Sequence, residues 1–539
     1  MKPFHRLFTK PWLYLAIITI GSFFKIYHFE YKLFWRDEIA SVLYASGVKE
    51  SKYINDIPAN EIISIKYFDS VLHNADKPYT TKQEIRGILS NTHLTPFHYI
   101  LLTVWYRVMG DDDMDYRLLS VFIFMLSLPF IFMLAKTLFN SNLGGWITTS
   151  LYAVSPFINC QSQEARYYII WIFFFISSNC FFLLAIKHKK VVWWIAYAVA
   201  SILALYTSIL SATFILGHLA YILICQRHLL MKLFITQVLM LAAYMPWLYF
   251  LYSVRNAIQS GMAWHHTYAQ PSIFSLELLF FQMIGWARSF TYFSDFTYYF
   301  VLYTGKLQQE LYLGLFVDVI VLCMIFYSIG HLISKSSKDV KWYLISIILP
   351  LFLFFYLSDV IRHGLTSVLW RYQVVNMVGV TIVVANLLTS KIKDGRPLFV
   401  SLYCGLIMLG IISTARIAEE RCWNTSPDCP SIINVAQIIA KESYPLIITD
   451  LGGFGEYGFD NFLSIINESK SKNAEILYCK GTIPDIRIRL AGKQYSQIFV
   501  LQASDKFVNI LKGQFGDSFM LYRKEDNAVY AQIIWRIKL

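Results

Sequence analysis

The sequence predicts a polytopic α-helical membrane protein of about eleven transmembrane helices, with interfacial helices in a long first outer loop and a soluble C-terminal α/β domain. Three observations carry this. Of 539 residues, 56% are hydrophobic and only 15% charged, against roughly 45–50% and 25% in a soluble domain. Apolar runs long enough, or nearly so, to cross a bilayer recur along the first four fifths of the chain. The positive charge gathers in the loops on one side of those runs.

The runs cover 11–29, 117–138, 144–159, 168–186, 191–206, 208–225, 233–252, 311–333, 342–358, 374–389 and 398–415. The first follows Lys2, Arg6 and Lys10 and lacks a small-x-small cleavage site, so it reads as an uncleaved anchor. The apolar run 96–109 is too short to span and reads as a helix lying on the surface. With that assignment the inner loops hold 15 Lys and Arg against only Asp339 and Asp394, while the rest of the chain holds 32 bases and 33 acids. Counting 96–109 as a span would move 187–190, with its three lysines, to the outside, which the positive-inside rule rejects. The overall +12 is therefore a topology signal and not a footprint for nucleic acid.

The N-terminus is then inside, and the outer face receives 30–116, a short loop at 160–167, 253–310, a turn near 359–366 and everything after the last span. The chain divides into a transmembrane part, 1–424, and an outer α/β domain, 425–539. The domain alternates a helix at 432–442, strands at 446–449, 476–478 and 498–501, a helix at 506–512 and a closing strand pair. Its 13 basic and 12 acidic residues show no anion-binding bias. Gly452, Gly453 and Gly455 lack the spacing of a phosphate loop and read as a turn. Cys422 and Cys429 bracket a short outer segment and could close a local disulfide in an oxidising compartment; the other cysteines are small apolar residues, and none has zinc-type spacing.

Chemistry is sought on the outer face. Asp37 and Glu38 open an amphipathic helix whose Ile39, Val42 and Leu43 share one side; they can complement the positive helix end or act on a substrate. Glu164 and Arg166 sit where water gives way to hydrocarbon, a depth at which ionisable groups are paired, functional or snorkelling. His93 precedes Thr95 and Pro96, which can cap and open the surface helix, and it can face a site or simply be solvated. Arg371 and Tyr372, at the outer mouth of the tenth run, suit a lipid phosphate, although snorkelling selects the same residue types. The acidic turn 111–113 reads as solvated.

The segments RDEIASVLYASG, THLTPFHYILLTVWYRVMG, YRLLSVFIFMLSLPFIFMLAKTLF and SPFINCQSQEARYY together resemble the GT-C superfamily of integral-membrane glycosyltransferases, in the bacterial branch similar to protein O-mannosyltransferases and the lipid A aminoarabinose transferase. The specific likeness covers roughly 11–190, plus the Arg371-Tyr372 pair. It implies Asp37 and Glu164 as catalytic carboxylates, and Glu38, His93, Arg166, Arg371 and Tyr372 as substrate-binding residues. The family commonly carries His-Pro-Pro where this chain has His93-Leu94-Thr95-Pro96. The resemblance further implies a polyprenyl-phosphate sugar donor, a glycan, lipid or protein acceptor, a multi-pass protein of the bacterial inner membrane and an outward-facing C-terminal domain. Some relatives use a divalent cation such as Mg or Mn, which Asp37 and Glu164 could share. A transporter of lipid-linked sugars would also have many spans, but its ionisable groups would sit near the midplane and its sequence would repeat. A membrane-anchored binding module would need far fewer spans.

Overall fold

The computed structural model describes residues 10–47, 50–73, 80–91, 96–256, 276–292, 311–422, 429–452, 458–524 and 533–538. They form two compact units, one from Met1–Phe29, His93–His98 and Arg117–Glu420, the other from Glu30–Thr92, Tyr99–Tyr116 and Arg421–Leu539.

The first unit is helical. Among the described residues seven helices are long and apolar enough to cross a membrane: Asp113–Phe139, Tyr168–His188, Arg227–Ser253, Leu313–Lys335, Lys338–Arg362, Trp370–Lys393 and Pro397–Glu419. Each contains one of the predicted runs. The remaining four runs also fold as helices, but shorter ones: Pro11–Phe23, Val191–Thr207, Ala212–Cys225, and a pair, Asn142–Ala153 and Pro156–Ser162, in place of the single run 144–159. The break has a local cause. Ser155 leaves the helical conformation, its hydroxyl accepts from the Ile158 amide, and Pro156 occupies the first position of the new helix. The run 96–109 is the helix Phe97–Met109, too short to span.

Two devices hold these helices together. Gly217 lets the helix Ala212–Cys225 approach Lys338–Arg362 so closely that a Cβ there would lie 1.9 Å from the Ser346 carbonyl oxygen. Nearby, buried polar groups satisfy one another. The Asn179 amide nitrogen donates to the Phe175 carbonyl (2.8 Å), which leaves its oxygen to accept from Tyr343 (2.6 Å) and from Nε2 of His218 (3.0 Å). The His218 ring therefore carries its proton on Nε2, and Nδ1 accepts from the Tyr197 hydroxyl (3.0 Å). Every member has a partner, so the network binds four helices without stranding a polar atom in an apolar interior.

The second unit is built on a six-stranded sheet of order β1-β3-β2-β4-β6-β5, with β1 Ile62–Ser64, β2 Pro445–Thr449, β3 Glu475–Tyr478, β4 Gln497–Val500, β5 Phe519–Lys524 and β6 Ile533–Ile537. β2, β3 and β4 run parallel, and β5 and β6 close one side as an antiparallel pair. The predicted strands and helices of 425–539 fall within a few residues of their expected places, and two further helices, Gly458–Ser469 and Ile486–Leu490, were not predicted. β1 is different: it comes from the first outer loop and pairs antiparallel with β3, Ile62 opposite Leu477. The helix Arg36–Ala45 joins the same unit, with Ile39, Val42 and Leu43 all buried as their spacing predicts. Ser464 donates to the Phe34 carbonyl (2.7 Å) and the Leu33 amide to the Arg421 carbonyl (3.1 Å). Cys422 and Cys429 are joined in a disulfide.

Replacing Gly217 with Val should force the two helices apart and cost about 1–3 kcal/mol, as overpacking does, read as a lower midpoint of thermal unfolding in detergent. His218→Ala should destabilise more than His218→Gln, which can still bond Asn179.

Candidate active site

In the first unit the site is assembled on the loop between Pro156–Ser162 and Tyr168–His188. Three hydrogen bonds fix it. The Gln163 amide donates to the Phe24 carbonyl (2.8 Å), tying the loop to the turn after the helix Pro11–Phe23. The Ser120 hydroxyl donates to the Glu164 carbonyl (2.5 Å), and the Arg166 amide donates to that same oxygen (2.8 Å). Glu164 and Arg166 are buried, at 1% and 8% exposure. The Arg166 guanidinium lies 5.6 Å from the Tyr167 ring centre and 5.7 Å from that of Tyr168.

Arg371 and Tyr372 belong to the same neighbourhood. They lie on a short 3-10 turn, Trp370–Gln373, held by the Gln373 amide on the Ser367 carbonyl and by Asp359, whose carboxylate accepts from the Ser367 amide (2.5 Å). The Tyr372 ring stacks on Phe355 at 6.2 Å, and Arg371 lies 5.4 Å from the Tyr372 ring centre. The Tyr167 phenol is held well above its usual range by burial first and then by Tyr168 and Tyr372, which puts Tyr372 in the surroundings of the Glu164–Arg166 loop.

Three features escape the sequence reading. His98, on the first turn of Phe97–Met109, is 2% exposed; burial pushes its pKa down to about 3, helped by the Arg166 guanidinium and resisted by a hydrogen bond with the Ala165 backbone. It is a neutral imidazole packed on the Glu164–Arg166 loop. Lys25 is fully buried at the end of the first run, and its ammonium, 5.1 Å from the Phe124 ring centre, has no hydrogen-bond partner among the described residues. A buried cation with no anion beside it carries a large desolvation cost. Arg288 and Asp318 are paired at 3.8 Å, at 2% and 1% exposure, with the guanidinium 4.9 Å from the Trp370 ring centre. A lone charge inside an apolar run is the signal that would have found Lys25 and Asp318.

The second unit holds Asp37 and Glu38 in the first turn of Arg36–Ala45. Trp35 occupies the cap position without a side-chain hydrogen bond, so the acidic pair complements the positive helix end from inside the first turn. Asp37 keeps 21% of its side chain exposed, 3.7 Å from the Arg36 guanidinium, whereas Glu38 is wholly buried. His93 lies outside the described residues. Among the described residues no group of three or more His, Cys, Asp or Glu is placed to hold a metal ion.

The chain is similar to ArnT from Cupriavidus metallidurans bound to undecaprenyl phosphate, with 14% identity over 97% of each chain and a TM-score of 0.51. It shares the fold of that protein. Residues 93–250 of the chain match the family described as dolichyl-phosphate-mannose-protein mannosyltransferase. It is also similar to the Archaeoglobus fulgidus oligosaccharyltransferase tethered to an acceptor peptide, at 11% identity over 87% of this chain and 64% of that one, with a TM-score of 0.47. No curated protein matches it by sequence.

Two outcomes follow. Asp318→Ala should cost about 3–5 kcal/mol, because it removes the buried carboxylate that faces the Arg288 guanidinium, and Arg288→Met with Asp318→Leu should recover much of the loss. His98 has a folded pKa below the unfolded value of about 6.5, so its neutral form favours folding above that pH and the benefit fades as pH falls. The unfolding midpoint of His98→Phe should therefore drop less than that of the wild type between pH 7 and pH 4.5.

Proposed function

We propose that the chain is a glycosyltransferase that moves a sugar from a polyprenyl-phosphate donor to an acceptor hydroxyl on the outer face of the membrane. The observation that carries this is the buried loop of Glu164 and Arg166, which has Tyr372 in its surroundings and the buried Lys25 beside the turn it is tied to. The fold it shares with ArnT and the family match across 93–250, which includes that loop, support the reading. The ArnT structure holds undecaprenyl phosphate, which favours the same class of donor here.

The reaction needs little covalent help. The bond between the anomeric carbon and the phosphate oxygen breaks with its electron pair passing to phosphate, a stable anion that requires no general acid. Its growing charge is met by Arg166, Arg371 and Lys25, with the Tyr372 hydroxyl as a further donor. Asp37 takes the proton of the acceptor hydroxyl as that oxygen attacks, and Glu164 supports the oxocarbenium-like centre or holds the sugar. A single displacement inverts the anomeric configuration. Glu38 and His93 are assigned to substrate binding on the resemblance alone.

The same reading places the protein in the bacterial inner membrane with its N-terminus cytoplasmic. The bases of the inner loops support that orientation, and so does the Cys422–Cys429 disulfide, a bond that persists in oxidising compartments.

The test follows loss of bacterial polyprenyl-phosphate sugars by mass spectrometry, with purified protein and a membrane acceptor fraction. Wild type should consume donor while a sugar-bearing acceptor appears. Asp37→Asn should slow turnover about 10²–10⁴-fold, as loss of a general base does. Lys25→Met should lower kcat/KM about tenfold or more, the loss of one charge-assisted contact. A donor panel that is bound but never consumed would overturn the transferase reading in favour of transport.

A further inference from the structure

The acidic turn 111–113 is not simply solvated. Within the second unit, His73, which follows the helix Lys66–Leu72, places Nδ1 2.8 Å from the Asp111 carbonyl oxygen and Nε2 3.1 Å from the side-chain oxygen of Asn467 on the helix Gly458–Ser469. The Asn467 amide cannot be reversed, because its nitrogen donates to the Asp113 carboxylate at 2.7 Å, where an oxygen would face an oxygen. Both neighbours of the ring are thus acceptors. A neutral imidazole has one N–H and can serve only one of them; the imidazolium serves both. Asp113 adds a carboxylate oxygen 3.8 Å from Nε2.

The three pieces meeting at this ring come from distant parts of the sequence. The charged groups that act on it are Asp113, from the turn, and Asp69, from its own helix. Glu468, next to Asn467, is engaged by Arg421, and the Tyr116 hydroxyl is occupied at the Leu72 carbonyl (3.2 Å). Partial burial lowers the pKa of His73, but Asp113, the Asp111 carbonyl, Asn467 and Asp69 outweigh it, and the net direction is up.

We propose that His73 is a proton-operated clasp that, as an imidazolium, joins the acidic turn of the first outer loop to the helix Gly458–Ser469, and as a neutral ring releases one of them. The clasp is full below the unfolded histidine pKa of about 6.5 and is lost as pH rises through the higher folded value. It makes the tie between the outer loop and the α/β sheet's helical layer depend on the pH of the medium.

The full-length protein in detergent provides the test. The unfolding midpoint of the wild type should exceed that of His73→Gln at pH 5.5, and the gap should at least halve by pH 9. In the wild type alone, modification of His73 by diethyl pyrocarbonate, which needs the neutral ring, should titrate with a midpoint above 6.5, and Asp113→Asn should bring that midpoint down. A gap that is constant or grows with pH, or a His73 midpoint at or below 6.5, overturns the proposal. Should His73→Gln fail to fold, the modification profile of the wild type decides by itself.

Discussion

Hydrocarbon offers no hydrogen bonds, and the first unit is organised around that deficiency. Its hydroxyls turn inward on their own helices: Thr148 donates to Gly144, Thr149 to Gly145, Thr381 to Met377 and Thr414 to Gly410. The Asn179, His218, Tyr197 and Tyr343 network solves the same problem between helices. Where this accounting closes, the groups are architectural. Where it stays open among the described residues, as at Lys25, a polar atom has been kept just after the helix Pro11–Phe23 at a cost that packing alone does not repay.

The buried loop before Tyr168–His188 shows how a connection between helices is made rigid. Ser155 and Pro156 end one helix and start another, and Gln163 and Ser120 then hold the loop by its backbone and its flank. Backbone carbonyls accept these bonds, from the Gln163 amide, the Ser120 hydroxyl and the Arg166 main chain, so the loop is fixed through its backbone. His98 packs against this arrangement as a neutral ring, which avoids placing a second cation next to Arg166.

Much of this was legible in the sequence, because the information is local. A run of about twenty apolar residues names its own environment, and the strands of 425–539 are short β-branched runs between turn residues. The disulfide was legible as an option, and so was the shortness of the helix Phe97–Met109. What escaped is pairing across distance. Asp318 is a single charge in an apolar run and Arg288 lies in the loop segment before it, and nothing local says that they meet. β1 is a three-residue segment whose partner is in another part of the chain. Asp113 read as solvent-facing because its partner, Asn467, lies 354 residues away.

That distance has a bearing on how the protein is made. β1 leaves the ribosome with the first outer loop, but the strand it pairs with follows only after about 400 further residues, some tens of seconds at ordinary synthesis rates. Until then the segment has no sheet to join. Once β3 emerges, β1 covers what would otherwise be a bare edge with unpaired amides and carbonyls, the feature that seeds aggregation. The early segment thus acts as an edge guard for a sheet that has yet to be synthesised when β1 is made, so 425–539 expressed apart from it would be born with one side of its sheet open.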